Sequence, residues 1–82
     1  MYKAIVTVKL RPSILDPEGK AIEHAITSLG FTALRNVRVG KHIELHVDAA
    51  SEEAARPMVD EACRKLFSNP VMEDYTFTLE EM

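Results

Sequence analysis

The chain has 82 residues, one cysteine and no apolar run of membrane-spanning or signal-peptide length, which points to one small cytoplasmic domain with no internal disulfide. Its 46% hydrophobic and 28% charged residues suit a soluble globular fold, and a net charge of −3 excludes the cationic surface that non-specific nucleic-acid binding needs. The charge is uneven: residues 1–43 carry seven Lys/Arg against three Asp/Glu and residues 44–82 three against ten, an asymmetry suited to steering assembly.

From Tyr2 to Leu10 apolar and polar residues alternate, which predicts a half-buried strand with Tyr2, Ala4, Val6, Val8 and Leu10 on one face. Arg11-Pro12-Ser13 ends it. Asp16-Pro17-Glu18-Gly19-Lys20 then reads as a helix start. Asp16 can accept the free N–H of Glu18 or Gly19, Pro17 gives up an N–H that has no helical partner, and Glu18 suits the positive end of the helix dipole. None of this requires Gly19. A glycine in the first turn costs helix stability, so it implies that another backbone or subunit comes too close for a side chain. Ile22, Ala25, Ile26 and Leu29 make one apolar stripe at helical spacing, and Gly30 is the expected stop.

Phe31 to Val39 is predicted as a second strand and Ile43 to Val47 as a third, joined by a two-residue hairpin turn at Gly40-Lys41. In that register Val39 pairs with His42 and Val37 with Glu44. Ile43, Leu45 and Val47 then face the helices, and Val37 and Val39 join Ile5 on the opposite face. The resulting apolar patch of Ile5, Val37 and Val39 is the expected homodimer face.

Ser51-Glu52-Glu53 is a second helix start, with Ala55, Met58, Val59, Ala62 and Leu66 as the buried stripe and Phe67 beside it. Pro57 falls beyond the first turn, so either the helix bends there or its regular part begins nearer Arg56. Asn69-Pro70 closes it. Tyr75, Phe77 and Leu79 alternate with polar residues in a fourth strand, and Glu80-Glu81-Met82 should fray. The order β-α-β-β-α-β predicts an α+β, ferredoxin-like sandwich over residues 1–82: a four-stranded antiparallel sheet with two helices on one face.

Such a fold hosts many functions, so function has to come from a site. The sequence offers no nucleophile, base or phosphate loop. His42, Glu44 and His46 share a strand face, but a closed metal site uses about four ligands, and surface histidines are the expected reading. Met58 and Met72 read as core filling and Cys63 as a small buried apolar residue. An RNA-binding sheet needs stacking aromatics on its central strands, which Ile43-Glu44-Leu45-His46 lacks. A metal carrier needs Cys-x-x-Cys. Gly40-Lys41 lacks the preceding glycine and the strand-to-helix setting of a nucleotide-binding loop.

Several short pieces, in order along the whole chain, resemble one family. Leu15-Asp16-Pro17-Glu18-Gly19-Lys20, Leu29-Gly30-Phe31, Val37-Arg38-Val39-Gly40-Lys41 and Asn69-Pro70-Val71-Met72-Glu73-Asp74-Tyr75 are similar to the small PurS subunit of phosphoribosylformylglycinamidine synthase. Ser13-Ile14, where a glycine often stands, and Pro57 depart from its pattern. The resemblance implies a non-catalytic subunit with no cofactor of its own, which dimerises and holds two enzymes together. One is a glutaminase subunit that releases ammonia; the other is a synthetase subunit that uses ATP and magnesium to make the formylglycinamidine in purine biosynthesis. It also makes Asp16, Pro17, Gly19, Arg38, Gly40 and Lys41 the candidate contacts with those partners. The alternative is an ACT-like domain that senses a small molecule through Ser13-Ile14-Leu15-Asp16.

Overall fold

The computed structural model describes residues 1–82, in the order β1 (Tyr2–Leu10), α1 (Pro17–Ser28), β2 (Gly40–Val47), α2 (Glu52–Ala62), a π-helical turn (Cys63–Phe67) and β3 (Glu73–Glu81). The protein is α+β, but its antiparallel sheet has three strands, in the order β2-β1-β3. β1 is central because its alternation is the cleanest: Ala4, Val6 and Val8 are fully buried on the inner face. Opposite them stand Leu45, Ile43 and Lys41 of β2, and Leu79, Phe77 and Tyr75 of β3. The outer face is polar. Lys3, Thr7, Glu44, His42, Thr76 and Thr78 surround Ile5, and Lys3 Nζ lies 3.0 Å from Glu44 Oε1.

α2 and the π-helical turn that continues it close the core through Ala55, Val59 and Cys63, spaced by four so that one narrow line is buried. Phe67 adjoins them, whereas Met58, Leu66 and Met72 are exposed rather than core. Ser51 caps the helix by accepting the Ala54 N–H at 3.2 Å. Pro57 stands inside the helix, which therefore starts at Glu52 and not near Arg56. The three i,i+4 ion pairs Glu52–Arg56, Asp60–Arg64 and Glu61–Lys65 line its solvent side. The C-terminal strand does not fray at Glu80 and Glu81, which pair with Lys3 and Tyr2, and the Met82 N–H donates to the Met1 carbonyl at 3.0 Å.

Residues 31–39 are not a strand, and Gly40-Lys41 is not a hairpin turn. The Val-Arg-Val alternation favours an extended backbone, but its donors are taken by carboxylates: Asn36 N–H donates to Glu23 Oε1 at 3.1 Å and Val39 N–H to Asp16 Oδ2 at 2.8 Å. Asn36 is also left-handed, with φ 57°, which interrupts any ladder. The chain then runs straight from Val39 into β2, where Gly40 lies opposite Lys9 and a Cβ would meet the Val8 carbonyl at 2.7 Å. Val37 and Val39 therefore do not share a sheet face with Ile5, and the apolar patch expected of the three does not form.

The second departure is α1. It does not lie on the sheet beside α2: Ile22 is 40% and Leu29 75% exposed, with Phe31 and Leu34 also uncovered. α2 packs on β1 and β3, and α1 makes no comparable contact with any strand. The molecule is consequently long and thin, 51 × 27 × 14 Å, with α1 as an arm.

Candidate functional site: the junction at the root of α1

Most of the sequence-selected residues meet where β1 ends, α1 begins and β2 begins. Asp16 is the N-cap of α1, 4% exposed, and its Oδ1 accepts the Gly19 N–H at 2.9 Å while Oδ2 accepts the Val39 N–H. These two backbone donors, Val39 first, hold the carboxyl below its ordinary range, with the Arg38 charge adding to them. Pro17 follows at the first helical position. Gly19 is buried because the Val37 carbonyl occupies the space of a side chain: a Cβ there would collide with it and come within 2.8 Å of Asp16 Oδ2. The intruding backbone implied by the sequence is thus the chain's own return segment.

Arg38 stitches the same junction from above. Its Nη2 donates to the Arg11 carbonyl at 3.0 Å and to the Ile14 carbonyl at 2.9 Å. Arg11 carries the network on: its Nη2 donates to the Pro70 carbonyl at 2.6 Å, its Nε to Asp74 Oδ1 at 3.2 Å and its N–H to the Met72 carbonyl. Segments 11–16, 36–39 and 69–74 are tied together by two guanidinium groups and the carboxylates of Asp16 and Asp74. The sequence pattern singles out Asp16, Gly19 and Arg38 but not Arg11, which reads only as the end of a strand. Its neighbours Pro12 and Ser13 carried the turn signal, and nothing local marks its partners some sixty residues away.

Lys41 lies apart, exposed on β2 and in none of the ion pairs. Beside the junction an open groove of about 450 Å³ is bordered by Lys9, Lys20, Glu23 and Arg38. Both Asp16 oxygens accept backbone amides rather than facing it free. The histidines do not converge: His42 Nε2 sits 3.1 Å from Glu44 Oε2, whose other oxygen is held by Lys3, and no three His, Cys, Asp or Glu are placed to share a metal ion.

A second polar contact lies under α2. Tyr75 Oη donates to Asp60 Oδ1 at 2.5 Å, and Arg64 Nε donates to Oδ2 at 3.1 Å. The Tyr75 bond leads in lowering the Asp60 carboxyl and raises the Tyr75 phenol, while burial raises the neighbouring Cys63 thiol. These groups fasten β3 to α2 and leave no activated nucleophile.

Residues 3–81 match the family model PurS, described as phosphoribosylformylglycinamidine (FGAM) synthase. The phosphoribosylformylglycinamidine synthase subunit PurS of Bacillus subtilis is 42% identical over 82 residues, covering 100% of this chain and 96% of its own length. The Methanocaldococcus jannaschii subunit is 39% identical, with coverage of 100% and 99%. Among solved structures, B. subtilis PurS superposes with a TM-score of 0.91 over 99% of this chain and 100% of that one. A chain of the PurLQS structure from Thermotoga maritima does so with a TM-score of 0.89 at 33% identity, covering 96% of each.

Proposed function

The chain belongs to the PurS family of phosphoribosylformylglycinamidine synthase subunits, and from that premise we propose that it is an assembly piece that performs no chemistry itself. It is a subunit of the enzyme of purine biosynthesis that makes formylglycinamidine ribonucleotide. In the proposed division of labour the glutaminase subunit releases ammonia, the synthetase subunit consumes it with ATP and magnesium, and this chain holds the two together in the cytoplasm. No membrane is involved, and no helix is long and apolar enough to cross one.

The observation that carries this reading is how the converging polar groups are used. Asp16, Arg38 and Arg11 all bond to the chain's own backbone, so the best-built site in the molecule is a joint that fixes shape. Of the candidate partner contacts, Asp16 and Gly19 act from beneath the surface by setting that shape. Pro17, Arg38, Gly40 and Lys41 stand on the exposed side, where another subunit can reach them. A homodimer completes the proposal, because the apolar side of α1 has no cover within one copy.

The test is glutamine-dependent formation of formylglycinamidine ribonucleotide by the matching synthetase and glutaminase subunits, with and without this chain. The expected result is a requirement for the chain with glutamine and none with high free ammonia. Full glutamine-dependent activity without the chain overturns the proposal.

A further inference from the structure

We infer that the cationic groove at the root of α1 seats an acidic segment of one of the larger enzyme subunits, held through its carboxylates. The inference rests on the assembly reading above and names the surface and the partner chemistry.

The chain leaves its positive charge unmatched in one place. Of its ten Lys and Arg residues, six form ion pairs within the chain: Lys3, Arg11, Lys20, Arg56, Arg64 and Lys65. The other four are Lys9, Arg35, Arg38 and Lys41, and all of them stand at the junction or in the segment that returns through it into β2. The acids nearby are already used. Asp16 gives both oxygens to backbone amides, and Glu23 accepts the Asn36 N–H through Oε1 and faces Lys20 Nζ at 3.8 Å through Oε2. Asp74, opposite Lys9 across β1 and β3, is held by Arg11 at 3.2 Å.

The unmatched charge also has a shape. Lys9, Lys20 and Arg38 come from β1, α1 and the returning segment and border one groove of about 450 Å³. Arg38 is fixed there: its Nη2 is anchored on the Arg11 and Ile14 carbonyls, which leaves Nε and Nη1 without a partner in the chain. A guanidinium held in this way keeps N–H groups for a carboxylate and has little freedom left to lose on binding one.

The spread of the charge selects the occupant. By the alternation of the strands Lys9 shares the outer face of the sheet with Lys3 and Thr7, whereas Lys41 stands opposite Val8 on the inner side. A single small anion cannot reach both. A length of chain that crosses this end of the sheet with several carboxylates can, and it breaks no existing ion pair to do so. The one-signed field also favours its encounter with the groove.

The test is binding of the whole chain to the matching synthetase and glutaminase subunits, followed by surface-binding kinetics at low and high salt. Lys9→Glu and Arg35→Glu should each weaken binding by about fivefold or more, chiefly through slower association at low salt. Lys65→Glu makes the same change of charge in the turn after α2 and should stay within about twofold of the native chain. Lys9→Gln, which removes charge without setting an acid opposite Asp74, serves if Lys9→Glu does not fold, with a loss of about threefold expected; amide spectra establish folding in each case. Folded groove variants that bind like the native chain, or no more weakly than Lys65→Glu, overturn the groove while the assembly reading stands. Variants that instead change the isolated chain's own oligomeric state would put a second copy in the groove, and overturn the inference. So would amide shifts at Lys9, Lys20 and Asn36 that saturate below about 1 mM inorganic phosphate, the mark of a small-anion site. A native chain that binds neither subunit removes the assembly reading and the groove with it.

Discussion

Asp16 and Val39 are joined by a 2.8 Å hydrogen bond from the Val39 amide to the buried carboxylate, across 23 residues of chain. The same carboxylate caps α1, so one side chain decides where the helix starts and where the returning chain must pass. It also withdraws the Val39 donor from any hairpin. The missing strand and the projecting helix therefore share a cause, and the molecule's shape is set at its most polar buried point.

Removing that carboxylate should loosen the joint more than an ordinary cap. Asp16→Ala is expected to lower Tm by about 5–10 °C, since both the cap and the Val39 amide lose their acceptor. The Asp16 carboxyl is held below its ordinary value, chiefly by the Val39 amide. Its contribution is thus complete above the unfolded-state value of about 3.9 and is lost as pH falls through the native value. Urea midpoints at pH 7 and pH 3 should fall further in the native chain than in Asp16→Asn. Equal falls would mean that the carboxylate is not what holds the junction.

Gly19→Ala separates helix propensity from packing. Alanine gains about 1 kcal/mol in a helix interior, yet here its methyl meets the Val37 carbonyl, and overpacking of that kind costs about 1–3 kcal/mol. The expected outcome is a net loss of stability with faster hydrogen exchange at the Val39 amide. A more stable Gly19→Ala chain would show that residues 36–39 give way at little cost.

How much of this was legible depended on the range of the interaction. The β1 alternation, the Asp16 cap, the Gly30 stop and the Ser51 cap are local, and each stands where its residues place it. Gly19 announced a close backbone, though not which one. Phe31–Val39 was misread because strand propensity counts side chains, whereas the outcome turned on the Asn36 and Val39 amides bonding to carboxylates 13 and 23 residues earlier. The stripe of α1 was read correctly as apolar and wrongly as buried in its own copy, for helical periodicity says that a face wants cover without saying whose. Arg11 was missed because its acceptors are brought to it only by the fold.

The Tyr75–Asp60 contact gives a spectroscopic prediction. Tyr75→Phe deletes the bond that leads in lowering the Asp60 carboxyl, so the Asp60 titration should move upward while Arg64 continues to hold it partly down. In the native chain the Asp60 contribution is lost as pH falls through its depressed native value, and that of the raised Tyr75 phenol as pH climbs past about 10. The pair therefore stabilises across the whole neutral range. Carboxyl-carbon shifts followed through the acid titration of both chains test it, and an unmoved Asp60 curve would refute it.

Arg38 and Lys41, three residues apart, should fail in different ways. Arg38 holds two loop carbonyls, so Arg38→Ala is expected to lower Tm by about 4–8 °C. Arg38→Lys should recover little of that, because an ammonium group lacks the planar fork that reaches both carbonyls. Lys41 has no intramolecular ion pair to lose, so Lys41→Glu should leave Tm within about 2 °C. Its charge is exposed at the start of β2, and reversing it should weaken binding to the synthetase and glutaminase subunits by about five- to tenfold, mostly through slower association and most clearly at low salt. Thermal melts and surface-binding kinetics on the same four proteins, native and variant, make the comparison. If Lys41→Glu binds both partners as the native chain does, this exposed cation of β2 is no part of the interface. If Arg38→Ala melts with the native chain, the stitching of residues 11–14 to 38 contributes nothing to holding the arm.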